Sequence, residues 1–129
     1  MTPKEKIMLK IIATAQGWSD RFPEREPSQS IEDYFSALQE GENGDSINDA
    51  INEVRCMGQI TGLDRGQWSR HYEWDEVALE MSDGSWVGWT YWHGGGKHGE
   101  PQEIDWLDQV YEVKCTKETR VVNVFSEAS

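Results

Sequence analysis

The spacing of apolar residues changes halfway along the chain, and this change constrains the fold more than any other feature. In the N-terminal half, apolar residues recur at the three- and four-residue intervals of amphipathic helices. In the C-terminal half the interval becomes two, which is typical of strands with one buried face. We therefore predict a single α+β domain spanning residues 1–129, with N-terminal helices packed on a small antiparallel sheet. The helical part is expected over about residues 1–60 and a ββαβ part over about residues 70–127.

Three helices are predicted in the first part, each with a start signal. Thr2 and Glu5 have the spacing of a capping box, and Gly17 is expected to end the first helix in a left-handed conformation. Ser30 and Ser46 are expected to cap the second and third helices, and the short connection between these two predicts an antiparallel pair. Their apolar stripes are formed by Ile31, Tyr34, Phe35 and Leu38 and by Ile47, Ala50, Ile51 and Val54.

A β-hairpin is predicted where the apolar spacing becomes two. Residues 74–81 alternate, with Val77, Leu79 and Met81 on one face. The turn residues Asp83 and Gly84 then lead into a second strand over residues 86–93. Beyond it, Pro101 is expected to open a helix that runs to about Glu112, and the β-rich residues 119–125 are expected to form the final strand.

The chain is strongly acidic, with 24 Asp and Glu residues, 12 Lys and Arg residues and a net charge of −12. The acids concentrate in residues 23–54 and 71–112, and the basic residues lie at the flanks of these stretches. Such a surface repels phosphate backbones and anionic lipid, so direct binding to nucleic acid or to a membrane is disfavoured. It attracts basic proteins instead, although acidity also serves solubility alone.

Within the helix predicted over residues 101–112, three acids have the spacing of a stripe. Asp105, Asp108 and Glu112 fall at i, i+3 and i+7, and Glu100 precedes the helix. A solvated helix usually mixes acids with Lys at such positions, because like charges at this spacing destabilise it. We therefore expect these four residues to bind a basic, nucleic-acid-binding partner.

The segment over residues 85–93 carries aromatic residues on both faces of a strand. A central strand covered on both sides explains this pattern. Alternatively one face is exposed, with Trp92 and Tyr91 as interface anchors. The glycine-rich loop that follows lacks the spacing of a phosphate-binding loop, so we expect its Lys97 and His98 to contribute to a protein interface.

No residue pattern indicates catalysis, a metal site or a cofactor. The three histidines lack metal-ligand spacing, and no nucleophile stands in a recognisable motif. Cys56 and Cys115 are expected to be reduced, buried or half-buried thiols of a cytosolic protein. We expect neither a signal peptide nor a membrane-spanning stretch, and the oligomeric state stays open.

The run of residues from Ser85 to Trp106, which includes the consecutive residues Trp92, His93 and Gly94, resembles a segment of small uncharacterised acidic proteins of bacteriophages and prophages. This resemblance implies a setting in the bacterial cytoplasm and, by analogy, inhibition of host machinery. Our leading hypothesis is a non-enzymatic inhibitor of a basic host protein that handles nucleic acid. Two alternatives are an immunity protein or antitoxin that masks a basic toxin, and a small-ligand-binding or catalytic domain that uses residues 86–98.

Overall fold

A layer of three helices packs on one face of a four-stranded antiparallel sheet, which confirms the predicted α+β class. The structure is a computed structural model that describes residues 1–18, 21–95 and 100–128. The helices are α1 (Pro3–Gln16), α2 (Ile31–Glu40) and α3 (Gly44–Arg55). The strands are β1 (Gln59–Ile60), β2 (Glu73–Glu80), β3 (Trp86–His93) and β4 (Tyr111–Val113), in the spatial order β1-β2-β3-β4.

Side-chain caps start two of the helices as predicted. Thr2 Oγ1 accepts a hydrogen bond from the Glu5 backbone, and the Glu5 carboxylate accepts one from the Thr2 backbone at 2.9 Å. Ser30 Oγ accepts from the backbone N–H of Asp33 at 3.0 Å. Each cap satisfies backbone donors that the first turn of a helix leaves unpaired.

Helix α1 ends at Gln16, just before Gly17, as predicted, but the left-handed conformation predicted for Gly17 and the start predicted for α3 are wrong. Gly17 has a φ of −64°, because its N–H still bonds to carbonyl groups of the last helical turn. Helix α3 begins at Gly44 rather than after Ser46, and its first turn closes through a bond from Ile47 N–H to the Asn43 carbonyl. The connection from α2 is therefore shorter than the sequence indicates.

One hydrophobic cluster joins the helices to the inner face of the sheet. Trp89 of β3 lies at its centre, is fully buried, and donates its indole N–H to the Arg55 carbonyl at 3.2 Å. The other largest fully buried side chains are Ile7, Ile11, Leu38, Ile47, Val54 and Val87. Burial of this cluster is the main force that holds the two layers together.

Strand β3 is central and covered on both faces, as the first of the two interpretations predicts. It pairs with β2 along its whole length and with β4 at its start. On the outer face, away from the helices, Gly88, Thr90 and Trp92 are all buried. The hairpin turn also forms as predicted, with Gly84 at a φ of +85°.

The helix predicted over residues 101–112 is wrong. The segment forms two short 3-10 turns, Pro101–Glu103 and Leu107–Gln109, and then enters β4. Trp106 explains the difference, because it is buried and packs on Trp89 with 5.0 Å between ring centroids. A helix that buried Ile104 and Leu107 would direct Trp106 toward solvent, and it would remove Tyr111 from the edge of β3.

The strand predicted over residues 119–125 is also wrong. These residues lie in extended, exposed chain without a strand partner among the described residues. A β-rich sequence forms a stable strand only when it pairs with another strand, and here the segment pairs with neither edge strand of the sheet, β1 or β4. Burial of the cysteines was predicted wrongly too, since Cys56 and Cys115 are unpaired and exposed.

Across the described ranges, none of the helices has the length and apolar composition required to cross a membrane.

Candidate functional site

The three acids of the predicted stripe do not share a helix. Asp105 lies between the two 3-10 turns, Asp108 lies in the second turn, and Glu112 lies in β4. All three side chains are exposed, as is Glu100 before the first turn. Lys97 and His98, the predicted contributions of the glycine-rich loop, lie outside the described residues.

Helix α1 neutralises two of these acids. Lys4 Nζ lies 2.6 Å from Asp108 Oδ1, and Lys6 Nζ lies 2.8 Å from Glu112 Oε1. Lys6 also contacts Asp83 in the hairpin turn at 3.6 Å. The hydrogen bond from Lys4 lowers the pKa of Asp108, and the bond to Glu112 raises the pKa of Lys6. Asp108 and Glu112 therefore link α1 to the C-terminal half, and each has a lysine as counter-charge within the chain, with Lys6 shared between Glu112 and Asp83.

The predicted aromatic anchors are also engaged within the fold. Trp92 is buried and packs on Trp74 with 5.9 Å between ring centroids. Tyr91 is half-buried, with the guanidinium of Arg55 4.5 Å from its ring centroid and His93 stacked on it at 5.6 Å. Trp92 is therefore buried within the fold, and the ring of Tyr91 is partly covered by Arg55 and His93.

The acids of α2 and α3 differ, because no described residue forms an ion pair with them. The two helices form a hairpin, and Gln39 Nε2 donates to Asn48 Oδ1 across its exposed side at 3.0 Å. We call six exposed carboxylates of this hairpin the α2–α3 acidic surface: Asp33, Glu40, Glu42, Asp45, Asp49 and Glu53. Glu32 of α2 is also exposed, but it does not belong to this surface because its charge interacts with Lys4 of α1.

Three members of this surface repeat along α3. Asp45, Asp49 and Glu53 fall at i, i+4 and i+8, so that they follow one face of the helix. Like charges at this spacing destabilise a helix by a few tenths of a kcal/mol per pair. The sequence reveals this surface as an acidic stretch, but it does not reveal which of the acidic stretches the fold leaves without counter-charges.

A second feature is a cleft between the end of α3 and the inner face of the sheet, with a volume of about 360 Å³. Cys56 Sγ lies 4.0 Å from the Tyr91 hydroxyl, and His93 Nε2 lies 3.0 Å from Asp75 Oδ2. The other ring nitrogen of His93 faces Glu73 Oε2 at 3.7 Å. The proximity of Cys56 and His93 could not be predicted from the sequence, since 37 positions separate them and neither lies in a recognisable motif.

The outer face of the sheet contains a buried carboxylate, Glu76, which is 3% exposed. Its two oxygens accept hydrogen bonds from the Thr90 hydroxyl at 2.8 Å and from the Tyr111 hydroxyl at 2.7 Å. Burial, followed by these contacts with Glu76, raises the pKa of Tyr111. Arg65 lies over the Tyr111 ring, 3.8 Å from its centroid. The arrangement satisfies a buried charge and joins β2, β3 and β4.

Comparison with known proteins identifies no relative: no family model, no curated protein and no solved structure matches the chain. No group of three or more potential metal ligands occurs in the part of the chain that the structure describes.

Proposed function

We propose that this protein acts without catalysis, by binding a basic partner protein that handles nucleic acid. In this proposal it inhibits the partner by occupying the surface that otherwise receives phosphates, as a phage-borne inhibitor of a bacterial host protein would do. The observation that supports it is the contrast between two sets of acids. Lys4 and Lys6 form ion pairs with Asp108 and Glu112, whereas the α2–α3 acidic surface forms no ion pair with a described residue.

This contrast moves the proposed contact from the predicted stripe to the helical hairpin. A field from uncompensated carboxylates attracts a basic protein over several ångströms and accelerates its association. Acids that already hold a lysine contribute little to that field, because each pair is a dipole rather than a net charge. The like-charge spacing of Asp45, Asp49 and Glu53 also costs helix stability, which is consistent with a surface kept for recognition.

The proposal is tested with two variants that remove the same number of charges. The surface variant carries Asp45→Asn, Asp49→Asn and Glu53→Gln on α3. The control variant carries Glu80→Gln, Glu103→Gln and Glu127→Gln, which are exposed positions outside the hairpin. Each protein is immobilised and exposed to a nuclease-treated bacterial lysate, and the retained proteins are eluted with a salt gradient and quantified.

We expect wild type and control to retain the same basic protein, and free duplex DNA to compete for it. At low salt the surface variant should retain about a tenth as much of this protein as the control variant, because fewer charges attract it. The difference should vanish near molar salt, where charges are screened beyond about 3 Å. Equal retention by the two variants would contradict a role for the α2–α3 acidic surface. If the retained protein is a toxin whose gene neighbours this one, the same surface serves an immunity protein instead.

The cleft beside α3 favours a second candidate function, the binding of a small ligand. It brings together an exposed thiol, a tyrosine hydroxyl and a histidine held by a carboxylate: Cys56, Tyr91, His93 and Asp75. Ligand binding to the folded state raises its melting temperature, so a thermal-shift screen of small metabolites tests this candidate directly. A shift that persists in both His93→Ala and Cys56→Ser proteins would exclude the cleft as its cause.

A further inference from the structure

Arg55, the last residue of α3, is a buried cation that lacks a carboxylate partner. It is 6% exposed, and it forms no ion pair with a described residue. Its Nη2 donates to the Trp92 carbonyl, and its Cζ lies 4.5 Å from the centroid of the Tyr91 ring. Buried charges in proteins are normally paired, because an unpaired charge loses its hydration without compensation. Arg55 is therefore a candidate for binding an anion.

The cleft beside α3 gives an anion access to this guanidinium group. Arg55 lines the cleft, and its Nε and Nη1 donate no hydrogen bond to a described residue. Neither nitrogen is sealed from solvent. The Tyr91 ring covers one face of the guanidinium group, which leaves the edge, where the N–H groups point, for a ligand. A carboxylate matches such an edge, since its two oxygens accept two parallel N–H bonds.

The charges around the cleft favour a ligand with a single negative charge. Among the described residues that line it, only Arg55 carries a permanent positive charge. Asp75 also lines the cleft and contacts His93 Nε2 at 3.0 Å, and Glu73 faces the other ring nitrogen at 3.7 Å. Two carboxylates at this distance from the guanidinium group repel a dianion such as phosphate more strongly than a monoanion. A monocarboxylate therefore fits the cleft better than a phosphate group.

The remaining wall of the cleft suits an apolar ligand body. Ile60 and Val77 contribute aliphatic side chains, and Tyr91 contributes part of its ring. The Tyr91 hydroxyl is a further donor, since among the described residues only Cys56 Sγ approaches it, at 4.0 Å. The volume of about 360 Å³ is near the lower end of the range for small-ligand sites, which favours a ligand of about one ring.

We propose that the cleft binds a small monocarboxylate, with the carboxylate group on the guanidinium edge of Arg55 and the apolar body against Ile60 and Val77. The inference rests on the second candidate function, ligand binding in this cleft, and names the chemical class of the ligand. It is independent of the partner proposed for the α2–α3 acidic surface.

An NMR titration of the full chain, with benzoate and benzamide as probes, tests the proposal. The two probes have the same ring and nearly the same shape, and they differ in charge. The signals to follow are the Nε–H of Arg55 and the backbone amides of Gly58 and Ile60, which line the cleft. The variants are Arg55→Gln and Arg55→Lys. The control is Arg70→Gln, since Arg70 is exposed and does not line the cleft.

We expect benzoate to shift these signals in wild type and to bind at least roughly tenfold more tightly than benzamide. Arg55→Gln should abolish this preference, Arg55→Lys should retain only part of it because an ammonium group lacks the planar fork, and Arg70→Gln should leave it unchanged.

Three results would overturn the proposal. If both probes shift the cleft signals with equal affinity for wild type, the cleft binds ligands but does not select a carboxylate, and the second candidate function survives. If the preference for benzoate persists in Arg55→Gln, another group holds the carboxylate. If neither probe shifts the cleft signals of wild type in the millimolar range, the assignment of the ligand class is wrong, and the thermal-shift screen decides the second candidate function separately. The comparison of the two probes on wild type does not depend on the folding of any variant.

Discussion

Replacing Tyr111 by Phe tests whether the buried carboxylate of Glu76 is a stabilising element of the sheet. The phenol donates a 2.7 Å hydrogen bond to Glu76, which is 3% exposed. A hydrogen bond to a charged group contributes about 1.5–3 kcal/mol. Because Tyr111 itself is half-buried, we expect the lower end, about 1.5 kcal/mol, which corresponds to a melting temperature about 6 °C lower.

Urea unfolding followed by tryptophan fluorescence measures this difference, since Trp89 lies at the centre of the core. Tyr72→Phe is the matched control, because Tyr72 is also half-buried and its hydroxyl has no hydrogen-bond partner among the residues that the structure describes. The control should unfold at the same urea concentration as wild type.

The pH dependence of the same comparison has a defined sign. Burial and Glu76 raise the pKa of Tyr111 in the folded protein above its ordinary value of 10. Above pH 10 the unfolded chain therefore loses this proton first, which favours unfolding of wild type. The stabilisation is complete below pH 10 and is lost as the pH rises. Above pH 10, the difference in the free energy of unfolding between wild type and Tyr111→Phe should decrease by about 1.4 kcal/mol per pH unit.

Two outcomes would refute this reasoning. If Tyr111→Phe unfolds at the same urea concentration as wild type, the hydrogen bond to Glu76 contributes no net stability. If wild type and Tyr111→Phe differ in stability by an amount that stays constant through alkaline pH, the loss arises from the space that the missing hydroxyl leaves and not from its proton. Thr90→Val, which removes the other donor to Glu76, should destabilise the protein without changing its alkaline profile.

Two further substitutions test local features of the fold. Gly58→Ala would place a Cβ 2.7 Å from Val77 Cγ2 and 3.1 Å from Trp89 Cζ2. Because of this overpacking, we expect the free energy of unfolding, measured in urea, to fall by about 1–3 kcal/mol. An unchanged urea midpoint would show that α3 shifts freely against the sheet. Thr2→Ala removes the capping box of α1 and should cost about 1 kcal/mol, whereas Thr2→Ser should retain most of the stability; equal losses in both would assign the effect to the methyl group.

Features that depend on neighbouring residues could be predicted from the sequence. The caps at Thr2 and Ser30 involve side chains and backbone groups three positions apart. The hairpin follows from Asp83 and Gly84, and its register continues from the Glu80–Trp86 pair through the whole of β2 and β3. In each case the deciding interaction lies within one turn of the chain.

Features that depend on distant partners could not be predicted in this way. The spacing of Ile104, Leu107 and Tyr111 fits a helix, but the fold buries Trp106 against Trp89 and pairs Tyr111 with Gly88 instead. Similarly, the β-rich residues 119–125 pair with no described strand. Local propensity is a weak determinant when tertiary contacts oppose it.

The candidate site shows the same dependence on distant contacts for charge. Glu112 lies 106 positions from Lys6 in sequence, but its carboxylate lies 2.8 Å from the Lys6 ammonium in space. The distribution of charge along the sequence therefore makes Glu112 look unpaired, although the fold gives it a counter-charge. Reversing Glu112 would break the contact between α1 and β4, and any loss of binding would be inseparable from a loss of structure. Asp45, Asp49 and Glu53 have no such internal role among the described residues. Substitutions of these three acids therefore test electrostatic recognition without breaking an ion pair of the fold, and substitutions of Asp108 or Glu112 do not.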